Sequence, residues 1–228
     1  MKAVVRIVAA ALLLHLCTAR GAEKAAPSSS FSLSQWKLQI PGPKDVKDLK
    51  GYASDYFYLN AGNEMCFHLD AAETGTTPNT KYVRSELRHQ LEWDVNAVHT
   101  LSGEFRVVSA LAPDKVTAMQ IHGITADGGN APPLLRIAMN AGDLVAALMT
   151  DSSGKKNEMI TLVKQLGARF VKVEIVVGKG QLTVTVDGQP KLTRSLAYWP
   201  HGNYFKAGCY PQATQGTADI FFRSLHAE

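Results

Sequence analysis

Over most of this chain, apolar and polar residues alternate with a period of two, and Gly, Asp, Asn or Pro interrupts each run. The runs are clear at residues 103–111, 116–122, 134–140, 144–150, 170–177, 181–186, 203–210 and 218–225. Alternation sends every second side chain to the same side of a strand, so each strand buries one face and wets the other. Gly178-Lys179-Gly180 joins two runs as a hairpin turn, and Asp187-Gly188 ends the second. No stretch carries a long apolar stripe at helical spacing. Short strands separated by turns about every 8–12 residues predict an all-β fold, an antiparallel β-sandwich of jelly-roll type with minor helix. At 228 residues a single domain is the simplest organisation, and no internal repeat divides it.

The N-terminus follows different rules. Residues 1–22 start basic (Lys2, Arg6), continue apolar from Ile7 to Leu16 and end in small residues, the pattern of a secretory signal peptide. The apolar run is about half the ~20 residues that a spanning helix needs. A secreted protein, extracellular or periplasmic and free of the membrane after cleavage, is therefore expected. Residues 23–30 read as a flexible lead and 31–228 as the folded domain. Removing residues 1–22 leaves 21 bases against 20 acids, which argues against nucleic acid as a partner. Only Cys66 and Cys209 then remain, and either one disulfide or two separate buried thiols is consistent with the sequence.

Three segments break the alternation by placing large polar or charged groups on one strand face. Residues 84–88 put Arg84, Glu86 and Arg88 on one side. Gln120 and His122 share a side, with Ile121 opposite. From Tyr204 to Gln212 one side reads Tyr204, Lys206, Gly208, Tyr210, Gln212. Each alone could be an ordinary solvated strand face with weak ion pairs. Together they offer cations, a carboxylate, an amide, an imidazole and two phenols, a set suited to an extended, anionic, hydroxyl-rich ligand.

These segments resemble the three signature motifs of the alginate lyases of polysaccharide lyase family 7: R-[ST]-E-L-R, Q-[IV]-H and Y-F-K-x-G-x-Y-x-Q, in that order. Trp36-Lys37-Leu38-Gln39-Ile40-Pro41 and Thr76-Thr77-Pro78-Asn79-Thr80 extend the likeness. The resemblance implies a jelly roll with a concave groove and β-elimination on alginate or a related anionic polysaccharide. It implies no metal and no cofactor, and a monomer is expected. Carried over, Arg84, Gln120 and His122 neutralise the sugar carboxylate, and His122 can share the role of base. Tyr210 carries the proton. Arg88, Tyr204, Lys206 and Gln212 hold flanking sugars, and Glu86 orients the two arginines beside it. A free phenol has a pKa near ~10, and cations at Arg84, Arg88 and Lys206 are expected to lower it. Ile121 at the middle of Gln-Ile-His goes with guluronate-containing blocks in the family.

Other readings of the same residues lead to different chemistry. A non-catalytic carbohydrate-binding module on this scaffold would stack sugars on Trp36, Trp93 or Trp199. A jelly-roll glycoside hydrolase needs two carboxylates, for which Glu92 and Asp94 are the main pair. A lyase for another polyuronate, such as glucuronan, would use the same groups as an alginate lyase. Residues 123–133, with Asp127-Gly128-Gly129-Asn130 and two prolines, read as an eleven-residue loop: a lid over the groove or a plain connection.

Overall fold

The computed structural model describes residues 24–42, 45–74 and 81–228. The signal segment and Thr76–Thr80 lie outside these residues. Two seven-stranded antiparallel sheets face each other. The first runs in the order β1 (Trp36–Gln39), β4 (Ser85–His89), β13 (Gly202–Pro211), β6 (Lys115–Ile124), β7 (Asn130–Asn140), β8 (Asp143–Met149), β9 (Asn157–Val163). The second runs β12 (Gln189–Ser195), β11 (Gln181–Val186), β10 (Val171–Gly178), β5 (His99–Ser109), β14 (Thr217–Ala227), β3 (Met65–Asp70), β2 (Phe57–Leu59). Among the described residues the only helical element is a 3-10 turn, Pro27–Ser29.

The alternation explains the sandwich. Leu87, Met119, Ile121, Phe205 and Ala207 of the first sheet meet Phe67, Phe105, Ile220 and Phe222 of the second in one buried core. The β10–β11 hairpin closes through Lys179 and Gly180, both at positive φ, a pairing whose twist suits two-residue turns. Asp187 and Gly188 make the next turn in the same way.

Two local expectations change and one open alternative is decided. The lead is seated, because Leu59 N–H donates to Ala25 O, Pro27 is buried, and Lys24 pairs with Asp55 at 2.7 Å. The expected loop at 123–133 is mostly strand. β6 continues to Ile124 and β7 begins at Asn130, so only Thr125–Gly129 turns, tied by Asp127 to Thr125 and to the Gly129 N–H. Cys66 and Cys209 are separate buried free thiols.

One glycine decides how the site is built. Gly208 sits at φ +149°, and a Cβ there would stand 2.5 Å from Ser85 O and 2.6 Å from Glu86 Cα. Its missing side chain lets β13 press against β4, where the pairing to β6 also slips by one residue between Ala207 and Tyr210. Such a bulge re-aims the side chains that follow it. Replacing Gly208 by Ala is expected to destabilise the protein by at least about 2 kcal/mol in denaturant titration, because both neighbours are backbone and cannot yield cheaply.

Candidate active site

The three polar segments lie on adjacent strands. β4, β13 and β6 are neighbours, and their pairing aligns Arg88 with Lys206 and Lys206 with Gln120. The alignment extends to Lys37 on β1 and Arg136 on β7. One transverse row therefore reads Lys37, Arg88, Lys206, Gln120, Arg136. Tyr204 aligns with His122 beside it. Above them opens a cavity of about 620 Å³, lined by Arg84, Arg88, His122, Tyr204 and Tyr210 together with Lys37, Gln39 and Lys81.

Beneath the cavity lies a buried charge cluster. Glu86 is 0% exposed and Lys206 1%. Lys206 Nζ lies 2.5 Å from Glu86 Oε2 and donates to Gln39 Oε1 at 2.8 Å. Gln120 Nε2 donates to Glu86 Oε1, and Arg84 Nη1 stands 3.7 Å from Oε2. The cations neutralise Oε2 without an aligned hydrogen bond to it. Burial alone would raise the Glu86 carboxyl, but Lys206, Arg84 and Gln120 outweigh it and hold it below the usual carboxylate value. Burial pushes Lys206 down to about 8 against the pull of Glu86.

Lys206, expected to hold flanking sugars, is thus packed under the groove with Glu86, its ammonium taken up by Glu86 and Gln39. Gln212 is also a support: it accepts from Thr117 Oγ1 at 3.1 Å and donates to the Tyr210 carbonyl. Of the two arginines assigned to Glu86, only Arg84 meets it. Arg88 turns to Glu92 at 2.5 Å and stacks on Tyr204, 3.9 Å from the ring centroid, while Tyr204 stacks on His122 at 5.1 Å. Arg88, Tyr204 and His122 form one layered wall.

The two groups able to move protons have opposite resting states. His122 Nδ1 donates to Gly123 O at 2.9 Å, a carbonyl that can only accept, so Nε2 is left as an acceptor. Burial, reinforced by the Lys206 and Arg84 cations, lowers His122 to about 4 and keeps the ring neutral. Tyr210 departs from expectation. Burial raises its phenol above the ordinary value, and Arg84 and Arg136 offset this only in part while Glu86 and Tyr82 add to it. Arg88 and Lys206 are occupied by their own acids. Arg84 lies 4.6 Å from the Tyr210 ring centroid.

The other readings meet obstacles. Trp36, Trp93 and Trp199 are buried, so none offers a face to a sugar. Glu92 is held by Arg88, and Asp94 accepts from the Asn96 N–H in a turn. Ile121 points into the core at 0% exposure and has no contact with the cavity.

Against this geometry, a family model described as alginate lyase matches residues 31–227. The chain belongs to the alginate lyase family. An alginate lyase of Photobacterium sp. is 25% identical over 85% of this chain and 82% of its own length. A crystal structure of alginate lyase A1-II', a member of polysaccharide lyase family 7, superposes with a TM-score of 0.81 at 32% identity, covering 90% of this chain and 98% of that one. An alginate lyase from Pseudomonas aeruginosa gives 0.77 at 25% identity, over 86% of this chain and 99% of that chain. The two sheets are the jelly roll of this family, and the protein is a polysaccharide lyase.

Several polar residues on the groove face of the first sheet had no role assigned from sequence. Lys37 and Gln39 alternate with buried Trp36 and Leu38, a signal visible in the sequence. Arg136 is a lone cation in the apolar run Leu134-Leu135-Arg136-Ile137-Ala138. Substituting Glu86 by Gln is expected to cost about 3 kcal/mol of unfolding free energy, because Lys206 would be left buried without its counter-charge. Chemical denaturation of the variant measures this.

Proposed function

We propose that this lyase cleaves alginate by β-elimination, with His122 taking a proton and Tyr210 giving one. The observation that carries the reading is the pairing of a neutral imidazole acceptor and a protonated phenol on one cavity, beside an arginine. In this scheme Arg84 and the second N–H of the Gln120 amide meet the uronate carboxylate. Removing the C5 proton builds negative charge on that carboxylate, and fixed donors stabilise it as it forms; losing one such donor typically costs ~3–4 kcal/mol. His122 Nε2 accepts the C5 proton, and the electron pair of that C–H bond becomes the C4–C5 double bond. The C4–O bond breaks, and the Tyr210 hydroxyl protonates the departing oxygen. The product carries an unsaturated uronate at its new non-reducing end.

Glu86 supports this chemistry from below. It keeps Arg84 and Gln120 in place and, held ionised by its cations, is a poor candidate for the base. Arg88 and Tyr204 bind flanking sugars, with Lys206 and Gln212 acting through their neighbours. The crystal structure of A1-II' with bound product (GGG), 29% identical at a TM-score of 0.83, supports a uronate oligomer as the ligand. Residues 1–22 would direct export, residues 31–228 would form the lyase domain, and the enzyme would meet its polymer outside the cytoplasm.

Incubation with alginate is expected to raise ultraviolet absorbance from the new conjugated double bond. Tyr210→Phe should lower kcat at least about 100-fold while alginate still binds, as expected for loss of a general acid. Tight binding by the wild type without absorbance change, or near wild-type turnover of Tyr210→Phe, would overturn the assignment. Acid dependence provides a second check. His122 is depressed to about 4 in the folded protein against ~6.5 unfolded, so the unfolded chain binds the extra proton between those values. Stability should therefore fall as pH drops through that window, and kcat/KM should fall as pH passes about 4 and the free-enzyme imidazole charges.

A further inference from the structure

The transverse row contains a cation that the elimination scheme does not use. Arg136 stands directly opposite Gln120 on β7, on the face that carries the groove. The other cations of the row, and Arg84 beside it, face acids, while Lys81 on the cavity lining stands over the Tyr82 ring. Lys37 pairs with Asp45 at 2.6 Å, Arg88 with Glu92 at 2.5 Å, Lys206 with Glu86 at 2.5 Å, and Arg84 reaches Glu86 at 3.7 Å. Among the described residues Arg136 has no acidic partner. It is only partly exposed, and its neighbour on the far side is Ala147, which carries no polar group. Tyr210 is the one titratable group in its field.

A partly desolvated guanidinium without a counter-charge is unfavourable unless an anion arrives to meet it. The planar fork of arginine fits a carboxylate through two parallel hydrogen bonds. A polyuronate brings one carboxylate per sugar, and Arg136 lies two strands beyond Tyr210, on the side opposite Arg88 and Lys37. Adjacent strands stand about 4.8 Å apart, so a sugar chain crossing the strands passes over Arg136 after leaving the reacting centre.

We propose that Arg136 is the carboxylate-binding residue of a further sugar subsite on the β7 side of the groove, occupied by a uronate next to the one that reacts. The proposal rests on the polyuronate reading of the groove. It gives the bound polymer two anchored ends, with Arg88 and Lys37 at one side and Arg136 at the other. Because every other cation of the row already faces an acid in the free protein, Arg136 is the member of the row at which an incoming carboxylate gains most.

Binding of alginate is measured in the Tyr210→Phe background, which holds polymer without turnover, by titration at fixed ionic strength. Adding Arg136→Met is expected to weaken binding about tenfold, the order of one charge-assisted hydrogen-bonded contact, whereas Arg136→Lys should stay within about threefold. In the otherwise wild-type enzyme, Arg136→Met should raise KM about tenfold with kcat within about twofold. Arg136→Gln removes the charge but keeps a polar end, and it is expected to show the same loss; circular dichroism of both variants separates this from a perturbed fold. Unchanged affinity in the neutral variants overturns the proposal. So does a fall in kcat at constant KM, which would place Arg136 on Tyr210 instead. Absence of unsaturated product from the wild type would sink the elimination reading alone, since the binding titration still decides whether Arg136 meets the polymer.

Discussion

The site depends on one buried carboxylate. Glu86 has no exposure to water, yet groups reach it from three segments: Lys206 from β13, Gln120 from β6, and Arg84 from just before its own strand. A charge in that position is tolerable only because its partners arrive together. Arg84 is in turn held on the cavity lining, and Gln120 lies buried just beneath it, both fixed by their contact with Glu86. Gly208 makes the arrangement possible by letting β13 approach β4 more closely than any other residue would allow. The hub explains why an acidic residue sits at the centre of a site meant for a polyanion. Its charge is spent inside the protein before any ligand arrives.

Burial sets the proton states of the two groups beside the hub. Taking a group out of water favours its neutral form, so an imidazole moves down and a phenol moves up. His122 and Tyr210 both follow this rule, and the result is an empty acceptor and a filled donor at rest. Cations near Tyr210 work against its burial without overcoming it. They favour the phenolate that would appear only after the proton has left, which is where electrostatic help speeds a reaction.

Much of this was legible in the sequence. The alternation at 181–186 located β11 residue for residue, and Lys179-Gly180 supplied the turn before it. The three segments with charge on one strand face pointed to one groove, and their register brought them together. β3 was missed because most of its residues are buried on both faces, so Met65-Cys66-Phe67 shows no alternation. The 123–133 segment misled because glycine and proline suggested a loop, whereas pairing with β6 holds Asn130–Asn140 as strand, with bulges absorbing the prolines. Sequence shows that Lys206 is a cation on the correct face. It does not show that Lys206 is buried against Glu86 and Gln39, nor that burial of Tyr210 outweighs the arginines near it. Those are properties of packing.

The polar row crosses the strands, and each of its members belongs to a different segment of chain. Every one of those segments is pinned by its opposite face: a slip of one residue in β4 would carry Leu87 out of the core and Glu86 into it. The groove is therefore assembled like a keyboard, in which each key can be recut while its neighbours stay in place. Position 136, at one outermost key, has no side-chain bond to the hub and is free to diversify for polymers of different charge spacing, whereas position 37 is tied to the hub through Asp45 and Gln39.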